Sequence, residues 1–582
     1  MGHVQTLDPV PVPVAAQISQ GLGASSLPEL ALQGIAAPAP IESFSNSQPL
    51  LPLDSTTSVP AIRPTPPLPA AKVESVYDGP LLELVDRYAD EPRELRVAVV
   101  GAGLSGVLAG ILLPPKVPGI KLTIFEKNSE VNIYPGVRCD VPAHVYQSTT
   151  GQKYNVYQYL QLSHQVNRQE WDASQGLWNL TVKDLTTGAD RTEGFHFVIH
   201  AIGRFNEWRL PDYPGLSDFK GLLRHTSNWD PNYDITGKRV AVIGNGASGL
   251  QVVANIQKRV GRLDHYARNK TWVAASFAGH ETSTSPIPIS QELRDSFADP
   301  ETYIAFRKEK ESQYFRGFED WLKGSEKNDQ ARERMTNLMN SRLEKTRPDL
   351  TPIRRFTETG IETVDGVHRE VDAIYCATGA NGDMAPPFPI IAHGETLADA
   401  WRPGGKHGFP YTYLGSATPG FPNLLFLHGP NGSGRSGTVP HNVENQVVYF
   451  AKILRKASRE GIRSLEPLVE AAEDFVRYSD AFFARTVLSE GCSSWYNGGK
   501  PGARIHGLWP GSASLVTLLQ REPRWEDFKY EYLHESGNRF LWYLGRGSTR
   551  KEGDLEADVT PYIVDPVKVD LRDVHESWWQ IP

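Results

Sequence analysis

The sequence predicts an α/β protein with two dinucleotide-binding, Rossmann-like domains, the second inserted in the first and carrying a helical cap. Three observations support this. A β-branched strand, a glycine turn and a helix occur twice, in RVAVVGAGLSGVLAGILL from Arg96 and GKRVAVIGNGASGLQVVANI from Gly237. Strand-like runs ending in a small residue and a glycine return in FHFVIHAIG from Phe195 and REVDAIYCATG from Arg369. Between the second fingerprint and the last of these runs, residues 290 to 347 are dense in charges at helical spacing, as amphipathic cap helices with solvated faces would be.

Composition narrows the class. A chain of 582 residues exceeds one typical domain, and 40% hydrophobic residues suffice for a large core. The net charge of -8 argues against a nucleic-acid partner, because neutralising phosphates needs a basic face. Cys139, Cys376 and Cys492 are too few and scattered for a disulfide framework or structural zinc, so no metal is expected and a reducing compartment fits. No apolar run reaches the roughly 18 residues of a membrane span, and no basic-then-apolar leader is present, so a cytoplasmic location is expected.

Residues 1–75 are rich in Pro, Ala, Ser and Leu with little to pack, and are expected to be disordered. The first domain begins over 90–215. Gly101 allows the tight turn, Gly103 lets the backbone approach a pyrophosphate, and Gly106 lets helix and strand pack closely. Glu126 lies 20 residues beyond Gly106, where an acidic side chain accepts from a ribose diol. An unphosphorylated ribose follows, as in FAD or NAD. The second domain, expected over 216–365, repeats the loop with Gly244, Gly246 and Gly249, and adds Ser248 and Gln251 as binding candidates. Arg268, 19 residues after Gly249, puts a cation where Glu126 stood. A guanidinium there holds a ribose 2′-phosphate, so the pair reads as FAD first and NADPH second. An ordinary solvated strand end is the other reading of Arg268. The first domain is expected to resume over 366–470, and 471–582 to form a C-terminal extension.

Between the fingerprints lies FKGLLRHTSNWD, Phe219 to Asp230, a hinge-like stretch. Read as F-x-G-x-x-x-H-x-x-x-W-D, it resembles the signature of Baeyer–Villiger monooxygenases. The resemblance covers about residues 90 to 550 and implies that NADPH reduces FAD, and that one oxygen of O2 is inserted beside a ketone to give an ester or lactone. It assigns His225 and Trp229 to the catalytic cycle through domain coupling. It places Thr378 and Gly379 of CATG near the flavin, and Asn431 of the Gly429 to Gly432 loop beside the isoalloxazine. It makes Asp140, at the end of GVRCD, the support of a catalytic arginine, with Tyr146 shortly after it; a turn-forming role for Asp140 stays open. CSSWYNGG, HGLWPGS and RWEDF resemble the fungal branch that acts on aromatic polyketides. There Trp495 either shields nicotinamide or substrate, or packs in the core.

The sequence departs from the family pattern in three places. No GGTW-type segment separates Val131 from NIYPGVRCD, the aromatic-rich stretch after Gln147 is short, and SRLEKTRPDL runs from Ser341 straight into TPIRRFTETG after Leu350. Arg354 and Arg355 match a later family piece, so no catalytic arginine is assigned. These departures fall inside close matches and read as segments lost from the gene product. Two other classes stand beside the first: an N- or S-oxygenating or hydroxylating flavin monooxygenase, and an inactive nucleotide-binding homologue.

Overall fold

The computed structural model describes residues 82–128, 155–205, 208, 210–268, 271, 289–342, 351–380, 384–434, 437–491, 493–561, 563 and 565. The extension expected over 1–75, the departures after Val131 and Gln147, and residues 343–350 of the third departure lie outside them. The first fingerprint opens on β1 (Leu95–Val100), whose LRVAVV is buried at every position but one. Such an unbroken apolar run needs cover on both faces, which a parallel sheet between helices supplies. Helix α1 (Leu104–Lys116) gives one cover and leads to β2 (Ile120–Glu126), parallel to β1. Strand β3 (Leu160–Leu162) extends this edge beside β2.

The chain then leaves the sheet for an antiparallel meander of β4 (His164–Asp172), β5 (Leu177–Asp184) and β6 (Asp190–Phe195). Alternation of buried and half-buried residues along β5 marks a sheet with one more deeply covered face. Trp178 on β5 is fully buried and donates from Nε1 to the Pro422 carbonyl at 2.7 Å, tying the meander to the later chain. Strand β7 (Phe197–His200) returns to the first sheet and pairs with β1.

The second sheet holds β8 (Leu222–His225), β9 (Arg239–Ile243) and β10 (Arg262–Tyr266), with β10 beside β9 and a later strand between β9 and β8. Helix α2 (Ala247–Ile256) links β9 to β10. The signature stretch is thus the edge strand β8 followed by a 3-10 turn over Thr226–Asn228, where the sequence suggested a hinge. The charged segment forms α3 (Gln291–Ser296), α4 (Pro300–Arg316) and α5 (Glu326–Arg342). No residue of α4 is fully buried, in keeping with a solvated helix face. An antiparallel ribbon of β11 (Ile353–Phe356), β12 (Gly360–Thr363) and β13 (His368–Glu370) follows.

Strand β14 (Ala373–Cys376) then enters the second sheet, parallel to β8 and β9. It lies beyond residue 365, where the sequence ended the second domain. The reason is physical: all four residues are buried, and a strand covered on both faces belongs in the middle of a parallel sheet. Asp372 fixes it there, accepting from the Arg239 backbone N–H at 2.7 Å and from Nη2 at 3.0 Å.

The first unit resumes with β15 (Ile390–Ala392), which pairs with β4 and with β16 (Glu395–Thr396). After α6 (Leu397–Trp401), β17 (Leu424–Phe426) joins β7, and the first sheet reads β17-β7-β1-β2-β3. Helix α7 (Val439–Glu460) packs on α1 and buries one long apolar face. The chain continues with β18 (Ile462–Pro467), α8 (Val469–Ala484) and α9 (Ala513–Leu519), and β19 (Phe528–Tyr532) pairs with β18.

Candidate active site

The first glycine loop is built by exclusion. Gly101 has φ +106°, and a Cβ there would lie 2.5 Å from the Ala201 carbonyl oxygen. A Cβ at Gly106 would collide with the Gly101 carbonyl, so α1 can sit this close only because position 106 is glycine. At Gly103 an added Cβ meets nothing within 4 Å, leaving an exposed backbone that a ligand can approach. No side chain caps α1, whose N-terminal N–H groups and dipole favour an anion. Glu126 ends β2 beside the loop: Oε2 accepts from the Ala102 N–H and Oε1 from the Asn128 N–H, both at 2.8 Å. Its carboxylate is therefore held at the rim with lone pairs to spare.

The second loop repeats this design. Gly244 has φ +109° and is walled by the Ala377 carbonyl, Gly249 is pressed against the Gly244 carbonyl, and Gly246 is open. Helix α2 likewise has no side-chain cap, and Ser248 lies in its first turn. Gln251 is buried beneath that turn. Register corrects one expectation. Gly101 N–H donates to Phe125 and Gly244 N–H to Tyr266, both at 2.8 Å, so the counterpart of Glu126 is Ala267 and not Arg268. Helix α2 is shorter than α1, and the span from the third glycine to the matching strand-end residue is two residues shorter here, which hid the shift in a simple spacing count. Arg268 follows, exposed, one residue further on. The acid's place is thus taken by a small neutral residue with a cation beside it.

Between the two loops the strands' continuations meet. Beyond β7, Ala201 walls the first loop; further on, Trp208 bridges to Ala380 and stacks on His225 with ring centroids 5.3 Å apart and planes at 6°. His225 pairs in register with Cys376 and is 2% exposed. Its Nδ1 accepts from the Ser227 N–H at 3.1 Å. Burial pushes the His225 pKa down, and the Gly379 backbone beside it works in the opposite direction. Thr378 and Gly379 are exposed at this junction, Gly379 with φ +82°. Trp229 is different. It stacks on Tyr375 at 4.1 Å within the second unit's core, with Val240, Val242 and Ile256. From there it can act only by positioning β8 and β14.

Comparison with known proteins agrees with this geometry. Residues 132–284 match the flavin-binding monooxygenase-like family, and residues 99–161 match an NAD(P)-binding Rossmann-like domain. The FAD-binding monooxygenase tazF of Aspergillus terreus is 29% identical over 544 residues, covering 81% of this chain and 95% of that protein. A Baeyer-Villiger monooxygenase of Pseudomonas aeruginosa is 29% identical over 505 residues, covering 74% and 90%. The chain is thus similar to flavin-binding monooxygenases over most of its length. A Rhodococcus cyclohexanone monooxygenase bound to NADP+ shares the fold, with a TM-score of 0.62 at 21% identity, covering 76% of this chain and 100% of that one.

Two residues assigned by resemblance to this flavin-binding monooxygenase-like family, Asp140 and Tyr146, lie outside the described residues. Asn431 is committed to structure. With φ +55° and 1% exposure, it donates from Nδ2 to the carbonyls of Ile505, at 3.1 Å, and Leu508, at 2.8 Å. Its Oδ1 accepts from Arg504. It therefore pins the Gly429 to Gly432 turn onto the C-terminal extension instead of offering its amide to a ligand. Trp495 is half-buried, with the Arg204 guanidinium 5.0 Å above its ring and Phe205 against its edge.

Arg204 is a residue that sequence reasoning missed. It donates to the carbonyls of Gly507 and His428, so it joins the end of β7, the glycine turn and the C-terminal extension. Burial pushes its pKa down to about 9. Its one sequence signal was its place, directly after the strand-to-glycine run HAIG.

Proposed function

We propose that the chain is an FAD- and NADPH-dependent monooxygenase of Baeyer–Villiger type, which inserts one oxygen of O2 next to a ketone to give an ester or lactone. The observation that carries the reading is the pair of complete glycine cradles, one ending in Glu126 and the other in Ala267 and Arg268. When bound, the reduced flavin supplies the electrons and activates dioxygen. The chain's own residues bind and orient. Gly103 and Gly246 admit the two pyrophosphates, and Glu126 accepts from the hydroxyls of a ribose without phosphate. Ala267 leaves room for a 2′-phosphate that Arg268 neutralises, with Ser248 and Gln251 contributing at α2. His225 couples the second unit to the first through Trp208, while Asp140 and Tyr146 contribute near the flavin as the family resemblance implies.

The second unit then runs from about residue 216 through β14, and the first unit resumes beyond it. The substrate we propose is a polyketide-derived ketone of fungal secondary metabolism, which the CSSWYNGG and HGLWPGS segments favour. The test is a ketone panel with NADPH and the FAD-loaded chain. Ester or lactone formation is the expected result. Sulfoxide or N-oxide without ester would move the chain to the heteroatom-oxidising class, and cofactor binding without NADPH consumption would make it an inactive homologue.

A further inference from the structure

His200 closes β7 and His428 follows β17 by two residues, at the carboxyl edge of the first sheet, where Phe426 pairs with His200. Open α/β sheets bind their ligands at this edge. The two imidazoles, Arg204 and the turn at Gly429 line a cavity of about 30 Å³. His200 is 2% exposed, and His428 is half-buried with its Nε2 shielded from solvent. Burial pushes both pKa values down to about 3, helped at His428 by the Arg204 charge, so both rings are neutral.

Each ring keeps one buried nitrogen without a hydrogen-bond partner among the described residues: Nδ1 of His200 and Nε2 of His428. His200 Nε2 lies 2.9 Å from Gln169 Oε1, an acceptor, so Nε2 carries the proton and Nδ1 offers a lone pair. Buried polar atoms of this kind are satisfied by protein or by ordered water. A water needs roughly 10–15 Å³ by this measure and two to four polar partners. The cavity provides both and is far too small for a ketone or a flavin ring.

We propose that this cavity is a built water site. One or two waters donate to His200 Nδ1, bond His428 Nε2 and accept from a remaining Arg204 N–H. His428 has φ +54°, an uncommon conformation for a residue with a side chain, and it opens the Gly429 to Gly432 turn. The water therefore ties that turn to β7, next to the Ala201 wall of the first glycine loop. His200 and His428 are positioning residues in this arrangement.

A high-resolution crystal structure of the FAD-loaded full chain tests the site. Density within about 2.7–3.2 Å of both nitrogens is expected; no density there, or rings turned to bond protein groups directly, overturns the proposal. His200→Phe keeps a ring and removes the acceptor. It should speed amide exchange at Gly432 by about tenfold and leave exchange in the second sheet unchanged. Unchanged exchange at Gly432 overturns the tie. Should that variant fail to fold, His428→Leu probes the same tie from the other ring with the same two outcomes.

Discussion

Gly101 and Gly244 occupy the same place in two sheets: each follows a buried parallel strand and turns at φ +106° or +109° beneath an alanine carbonyl, of Ala201 or Ala377. In both loops the third glycine is pressed against the first and the middle one is open. The loops differ at the neighbouring strand's end, where one sheet presents Glu126 and the other Ala267 followed by Arg268. Backbone collisions set the shape of the cradle, so the cradle says only that a pyrophosphate fits. The strand end decides which ribose does.

The largest effect expected to separate the two halves is acid sensitivity. Burial holds His200 and His428, beside the first sheet, at pKa values of about 3, against 6.5 in an unfolded chain. Below pH 6.5 the unfolded chain binds protons that the folded chain refuses, so stability falls as pH drops toward 3. At about 1.4 kcal/mol per pH unit for each group, two histidines cost up to about 5 kcal/mol between pH 6.5 and 4.5. Hydrogen exchange should show the first sheet losing protection before the second. Simultaneous loss would remove this distinction between them.

Next in size are the glycines. Gly101→Ala puts a Cβ against the Ala201 carbonyl at a left-handed φ and should cost about 2–4 kcal/mol in urea unfolding. Gly103→Ala, in open space, should cost less than about 1 kcal/mol yet weaken FAD retention. Equal losses of stability would mean that the middle glycine serves the fold and not the ligand. Below the Gly101 effect comes Arg268→Ala, which should shift preference from NADPH toward NADH by about 5- to 150-fold, the equivalent of roughly 1–3 kcal/mol. Steady-state kinetics with both nucleotides read this directly, and an unchanged ratio would return Arg268 to a solvated strand end.

Much of this architecture was legible because its strongest elements are local. Buried β-branched runs such as RVAVV and the glycine spacings state their own structure, since both depend on residues a few positions apart. What was not legible depends on partners distant in sequence. Leu222–His225 is too short to announce a strand until β14 supplies its neighbour. The role of Ala267 depends on register, which spacing from Gly249 misstates. Asn431 looked available until Ile505 and Leu508 were seen to use its amide. Trp495 could be read as core or as site and Trp229 was assigned through the signature alone; only packing placed Trp229 in the second unit's core and Trp495 under Arg204. Arg204 and His428 had no motif at all, because their meaning comes from three segments converging on one guanidinium.

The pairing of β8 with β14 also carries a consequence for synthesis. The signature strand emerges from the ribosome about 150 residues before the strand it must pair with. At roughly 5–20 residues per second it waits about 8–30 s with an open edge. Over that interval β9, α2 and β10 can assemble locally while β8 stays exposed to other strands. The element most characteristic of the chain is thus among the last to be secured, and co-translational holding of that edge would govern how much protein reaches the native state.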